Sequence, residues 1–203
     1  MTELEKRDAG LWYDANYDPN VLKERMRADS LCFELNMTPP ADEGKREKIL
    51  KQLLPHRQKH VALLSPFYAD YGYNCFIGEA TFLNHGVYMM DCARITLGSH
   101  CFIGPDCGFY TASHPLLAQE RNQGLERVDP ITLEDNVWLG AKVSVMPGVT
   151  IGTGSVIGAG SVVTKDIPSY VVAAGNPCRV LRPITADDSV HRPESIKADK
   201  SGC

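Results

Sequence analysis

The sequence predicts a mostly β fold: a three-sided solenoid of short parallel strands, about four coils high, behind a helical N-terminal segment. Three observations carry that expectation. Aliphatic residues recur every six positions from Ile77 through Leu83 and Met89, then at Leu97 and Ile103 with Phe109 next in step. The rhythm returns at Leu133, Leu139, Val145, Ile151, Ile157 and Val163. Glycine follows directly at Gly78, Gly98, Gly104, Gly140, Gly152 and Gly158. The interval from Leu97 to Leu133 is a whole number of periods, so the interruption leaves the count intact. Six residues suit a short strand plus a turn, with the aliphatic pointing inward and Gly, Asn or Asp permitting the turn. Three such units close one coil, and coils stack at the ordinary strand separation of roughly 4.8 Å.

In chain order, residues 1–60 read as helical. Asp18-Pro19 has the form of an N-cap with proline at the first helical position. Leu22, Met26, Cys32 and Leu35 then keep a helical stripe amid Lys and Arg. Pro39-Pro40 breaks that element, and Ala41 to Leu54 forms another, with Ile49, Leu50, Leu53 and Leu54 on one side and Pro55 ending it. Short amphipathic helices need a surface on which to bury their stripes. The solenoid of residues 61–184 supplies it, with coils at 77–94, 97–114, 133–150 and 151–168. Ile95 and Thr96 shift the phase between the first two, and a polar loop, 115–130, separates the second from the third. Residues 185–203, with Asp187-Asp188-Ser189, Lys197 and Lys200, read as a polar, mobile tail.

Composition narrows the function. The 203 residues are 43% hydrophobic and 23% charged, enough apolar material for one main core. No apolar run is long enough for a membrane span, and Met1-Thr2-Glu3-Leu4-Glu5-Lys6-Arg7 lacks the apolar stretch of a signal peptide. A formal net charge of −4, without a long single-sign block, argues against a nucleic-acid or anionic-membrane partner. Seven cysteines without a Cys-x-x-Cys pair read as reduced, mostly buried thiols of a cytoplasmic protein. His56 and His60 have a metal-compatible spacing but no evident third ligand, so no metal is expected.

The loop at 115–130 is ejected from an otherwise strict solenoid, and long insertions of this kind are usually functional. His114 stands directly before it, an imidazole suited to general-base work near neutral pH. With the hexads, Asp70-Tyr71-Gly72, Asn84, Thr111-Ala112-Ser113-His114-Pro115 and Asn136-Val137-Trp138-Leu139-Gly140 form a recognisable set. Val163-Thr164-Lys165-Asp166-Ile167-Pro168 and Ala174-Gly175-Asn176-Pro177 complete it. The set resembles the maltose/galactoside O-acetyltransferases, a branch of the hexapeptide acyltransferases, over approximately residues 3–184.

That resemblance implies a left-handed parallel β-helix and a homotrimer with sites between subunits. It also implies acetyl transfer from acetyl-CoA to a hydroxyl of a small sugar of the maltose, glucose or galactoside type. His114 would then deprotonate the hydroxyl for direct attack on the thioester. Trp138, Ala141, Ala159, Thr164, Lys165, Arg179 and Arg182 would line the path of acetyl-CoA. Small turn residues admit the pantetheine, an amide near Ala141 meets the oxyanion, and the cations meet phosphate. Asp14, Arg25, Asp70, Asn84 and Asp91 would line the acceptor end; Glu126 joins that set from its place in the loop, where it is also a candidate carboxylate partner for His114.

Position within the coil adds an inference that does not need the family. Asn84, Ala141 and Ala159 lie seven or eight residues into their coils, on one edge of the prism. Asp91, Lys165 and His114 lie fourteen to seventeen residues in, at another edge. One prism cannot bring two edges to a point, so joint action requires neighbouring subunits packed side by side. Serine, lipid-linked-sugar and xenobiotic acceptors stay open, as does a thiol nucleophile at Cys92, Cys101 or Cys107. A zinc hydratase of the γ-carbonic-anhydrase kind would need His85, His100 and His114 to converge. A non-enzymatic scaffold would leave the His114 loop and the Lys165, Arg179 and Arg182 cluster unexplained.

Overall fold

In the computed structural model, which describes residues 1–191, the six-residue rhythm becomes three faces of parallel strands. The first face stacks His56–Arg57, Cys75–Ile77, Ile95–Leu97, Ile131–Leu133 and Thr150–Ile151. The second stacks Ala62–Leu63, Phe82–Leu83, Phe102–Ile103, Trp138–Leu139, Val156–Ile157 and Val171–Ala174, closed by the antiparallel Arg179–Pro183. The third stacks Phe67–Ala69, Val87–Met90, Gly108–Tyr110, Ser144–Val145 and Val162–Val163.

The four coils expected from the rhythm are present, and the structure adds to both ends. Part of a further coil lies above them, where Ile167 bridges Ile151 and Val171–Ala174 extends the second face. A whole coil, residues 56–69, lies below. It escapes the rhythm because its inward column begins with Arg57, Leu63 and Ala69 in place of three large aliphatics. Arg57 donates to Glu47 at 2.7 Å, which offsets the cost of a cation at a core position. The first strand of the solenoid therefore starts ahead of residue 60, where the sequence placed the end of the helical segment.

The core is the set of inward columns. Ile77, Leu97, Leu133 and Ile151 stack on the first face, and Leu83, Ile103, Leu139 and Ile157 on the second. Met89, Phe109, Val145 and Val163 stack on the third, and all twelve side chains are buried. Each such burial is worth about 1.5–3 kcal/mol, while the ladder between coils satisfies the backbone. The glycines after these residues serve close approach between coils instead of the turn conformation expected of them. A Cβ on Gly98 would lie 2.5 Å from the Glu134 carbonyl carbon of the next coil. The left-handed positions come two residues later, at Ala80, His100, Asp106 and Lys142.

The N-terminal segment packs on this column. Helix α1 (Glu3–Asp8) is capped by Thr2, and α2 (Pro19–Met37) by Asp18, whose carboxylate accepts from the backbone of Asn20 and Val21, each at 3.0 Å. The buried stripe of α2 is Val21, Ala28, Cys32 and Leu35; Leu22 and Met26, expected within it, face outward. The face is fixed by Asn36, whose amide both donates to and accepts from the backbone of Phe67 at 2.9 Å. Helix α3 (Glu43–Leu53) brings Ile49, Leu50 and Leu53 into the main core, as the sequence predicts.

Two features were not legible as regular structure. The loop 115–130 contains a short helix, α4 (Ala118–Arg121), and a strand, Leu125–Val128. That strand lies between Ala112–Ser113 and a strand from the N-terminal segment, Tyr13–Asp14, both antiparallel to it. The six cysteines among the described residues are free and buried. Among the described residues no helix is long and apolar enough to cross a membrane. Most of the tail expected at 185–203 lies outside the described residues; its described part includes a short 3-10 turn, Ala186–Asp188.

Candidate active site

His114 follows the strand Ala112–Ser113 and so stands at the edge of the small three-stranded sheet. Its Nδ1 lies 2.9 Å from the backbone carbonyl of Leu125. A carbonyl only accepts, so Nδ1 carries the proton and Nε2 keeps its lone pair. Nε2 lies 3.7 Å from Oε2 of Glu126, and the His114 ring is 42% exposed. Glu126 is itself buried, and its other oxygen accepts from the Tyr13 hydroxyl. This side chain therefore faces His114 from below the surface, which fits a partner to the imidazole better than direct contact with an acceptor.

A second group lies at the foot of α2. Arg25 donates to Asp70 at 3.4 Å and to the Ala15 carbonyl at 3.2 Å. Burial works against the Arg25 charge, and Asp70, ahead of Tyr71, Cys92 and Glu126, more than offsets it. Asp70 also accepts from the Tyr88 hydroxyl at 2.6 Å. Burial first, then Asp70, pushes the Tyr88 phenol upward, so it stays a donor. Arg25, Asp70 and Tyr88 line an open groove of about 550 Å³ whose other walls include Leu22, Met26, Asp29 and Tyr68. Guanidinium, carboxylate and phenol on an apolar floor suit a ligand rich in hydroxyls.

Asp14 and Asp91 serve the backbone. Asp14 accepts from the amides of Asn16 and Tyr17 at 3.1 and 2.9 Å, and its own amide donates to Glu3. Asp91 has no exposed surface, and its two oxygens accept from the amides of Tyr71 at 2.8 Å and Asn74 at 3.2 Å. The expectation that Asp91 lines the acceptor end is thus corrected: in this chain its carboxylate braces the turn after Asp70. Burial raises its pKa to about 6.

The remaining residues occupy other corners. Asn84, Ala141 and Ala159 each follow a second-face strand and stack along one edge. Asp91, Thr164 and Lys165 follow third-face strands at another edge, where His114 also comes, four residues beyond the third-face strand Gly108–Tyr110, so a single chain keeps the two sets apart. Trp138 is a strand residue, not a turn residue, and stands outward between Phe102 and Val156, 54% exposed. Arg179, at the upper end, is exposed and donates to the Cys178 carbonyl at 2.8 Å. Arg182 is exposed too, but both its terminal nitrogens pair with Asp188 at 2.7 and 2.8 Å, so its fork is already filled.

The thiols do not offer a nucleophile. Burial drives Cys92 well up, raises Cys101 and pushes Cys107 to about 11, so all three stay protonated near neutral pH. His85, His100 and His114 stand at three different corners, and among the described residues no group of His, Cys, Asp and Glu is arranged to hold a metal ion. Sequence reasoning misses Tyr13 and Tyr88. Tyr88 sits beside an inward residue on a strand, and that alternation marks it as outward-facing. Tyr13 lies in a stretch that reads as helical and carries no periodic signal.

Comparison with known proteins agrees with this architecture. Residues 6–57 match the maltose acetyltransferase hexapeptide capping motif, and residues 130–165 match the bacterial transferase hexapeptide of six repeats. A protein of Staphylococcus aureus (strain MRSA252) bearing the name acetyltransferase is 52% identical over 184 residues, 91% of this chain and 92% of its own. A solved maltose O-acetyltransferase from Clostridium difficile 630 is 44% identical with a TM-score of 0.87, over 91% of this chain and 98% of its own. A hexapeptide-repeat acetyltransferase from Vibrio cholerae O1 biovar eltor, complexed with acetyl-CoA, is 38% identical with a TM-score of 0.82, over 91% and 100%. A galactoside acetyltransferase in complex with coenzyme A is 37% identical with a TM-score of 0.88, over 93% and 94%. The coils, the capping helices and these matches over nine-tenths of the chain place it in one family: the chain belongs to the maltose/galactoside O-acetyltransferases of the hexapeptide-repeat class.

Proposed function

We propose that this protein is a cytoplasmic, acetyl-CoA-dependent O-acetyltransferase acting on a hydroxyl of a small sugar. The carrying observation is the setting of the His114 ring: it is exposed, and its Nδ1 is held by the Leu125 carbonyl, which leaves Nε2 as the nitrogen to accept a proton. An alcohol is a poor nucleophile until that proton is removed. Nε2 takes the hydroxyl proton as the acceptor oxygen attacks the acetyl carbonyl carbon. The new C–O bond forms, the thioester C–S bond breaks, and the coenzyme A thiolate leaves and receives the proton from His114. The buried, protonated thiols favour this direct route over an acyl-cysteine.

Arg25, Asp70 and Tyr88 orient the sugar hydroxyls, and such orientation supplies much of the rate. For the donor, the small residues Ala141 and Ala159 admit the pantetheine beside the backbone, and an amide near Ala141 faces the developing oxyanion. Trp138 offers an exposed ring along that path, with Thr164 flanking it, and Lys165 and Arg179 supply cations for phosphate. Because Asn84, Ala141 and Ala159 stand on one edge and His114 on another, the working site joins edges of two copies, which a homotrimer repeats three times. The buried free cysteines fit a reducing compartment.

The test is thiol release from acetyl-CoA across maltose, glucose, galactosides, serine and chloramphenicol, with His114→Ala alongside. Turnover with a sugar, reduced roughly 100- to 10,000-fold in His114→Ala, is expected. Turnover with serine or chloramphenicol alone, or full activity in the variant, would contradict the proposal.

A further inference from the structure

The base is not the end of the polar row in which it sits. Across the small sheet, Tyr13 pairs with Glu126 on one side, while Ser113 pairs with Arg127 on the other. One step further along that second register, His114 faces Glu126. Three side chains therefore line up, two from strands and His114 from the residue after a third: the Tyr13 hydroxyl donates to Oε1 of Glu126, and Oε2 of Glu126 faces Nε2 of His114 at 3.7 Å. Directly opposite residues on antiparallel strands share a face, so the alignment follows from the pairing itself.

We propose that Tyr13 is a positioning residue for the transfer reaction: it clamps the Glu126 carboxylate toward His114, where the negative charge stabilises the imidazolium formed when Nε2 takes the acceptor proton. This rests on His114 being the base. Tyr13 is fully buried, and burial ahead of Cys92 and Glu126 pushes its phenol far upward, so it is a permanent donor. Glu126 is buried too, and a buried carboxylate is held by its donors. Without the phenol, Oε2 is free to turn from Nε2. The other titratable groups around this row are Cys92 and Tyr71 from the solenoid, Asp70 beyond them, and Arg25 from α2. Arg25 is already engaged by Asp70, which leaves Glu126 as the carboxylate beside the imidazole.

Tyr13→Phe and Glu126→Gln test the proposal, read as kcat, KM for acetyl-CoA, and the acid limb of the kcat/KM profile, with His114→Ala as control. Tyr13→Phe keeps the buried ring, so the fold is retained. We expect kcat to fall roughly tenfold in Tyr13→Phe and further in Glu126→Gln, with KM for acetyl-CoA within about twofold. Losing the negative charge disfavours the imidazolium, so the acid limb should move to lower pH in Glu126→Gln. A lower melting temperature with kcat and the acid limb unmoved would overturn the proposal and leave His114 as base. Activity surviving in His114→Ala would overturn both.

Discussion

The stacked coils and the small sheet beside them are built on opposite principles. In the coils every residue has an equivalent one turn above or below, so Leu83, Ile103, Leu139 and Ile157 do the same work at four levels. In the sheet, Tyr13, Glu126 and His114 come from three unrelated stretches, and none has a counterpart elsewhere. Repetition gives a rigid column with three edges; the chemistry proposed for His114 needs an asymmetric group that repetition alone cannot supply. The interruption at 115–130 leaves the column intact, since Ile95–Leu97 and Ile131–Leu133 still pair across it, and adds the strand Leu125–Val128, which the N-terminal strand flanks.

Damage to the repeating column should show in stability first. Leu139→Ala empties a fully buried position between two coils and should cost about 2–5 kcal/mol in denaturant unfolding. A cost under 1 kcal/mol would mean the column tolerates gaps that its packing forbids.

Asp91 sharpens the boundary between the two regions, because it is a buried carboxylate in the coils that holds the turn after Asp70. Its pKa is raised from the ordinary 3.8 to about 6, with burial the leading cause and the Tyr71 amide opposing it. A raised carboxylate favours the folded state in its protonated form. Its contribution is full below about pH 3.8 and is lost as pH rises through about 6. Wild type should therefore lose about 3 kcal/mol of stability relative to Asp91→Asn between pH 3 and pH 7. A flat difference across that range would contradict the raised pKa.

Smaller effects follow at the periphery. Asp18→Ala deletes the cap of α2, which carries Arg25, and should cost about 1 kcal/mol by thermal unfolding. Trp138→Ala removes an exposed outward ring, so the stability of a single chain should change by under about 0.5 kcal/mol. Its effect is expected instead in KM for acetyl-CoA.

How much of this was legible follows from the same contrast. Ile77 onward declares itself because each aliphatic repeats at a fixed step, and the helix starts at Asp18 and end at Pro55 follow from capping chemistry. The coil at 56–69 stays hidden because Arg57 and Ala69 occupy inward positions and an ion pair to α3 makes Arg57 tolerable there. Tyr13–Asp14 stays hidden because a two-residue strand has no period to detect; only its partner across the sheet, more than one hundred positions away, gives it meaning. The place of His114 before an insertion was legible in the sequence. The direction of its ring, set by the Leu125 carbonyl, was not.

The claim that the site joins the edges of two copies is tested most directly by complementation. His114→Ala disables one edge, and Ala159→Trp plugs the exposed donor edge with little effect on folding. Each alone should be inactive in thiol release. Subunits mixed at equal ratio should recover roughly one quarter of wild-type activity, since about that share of random pairings joins two intact edges. A mixture as inactive as its parents would contradict the shared site.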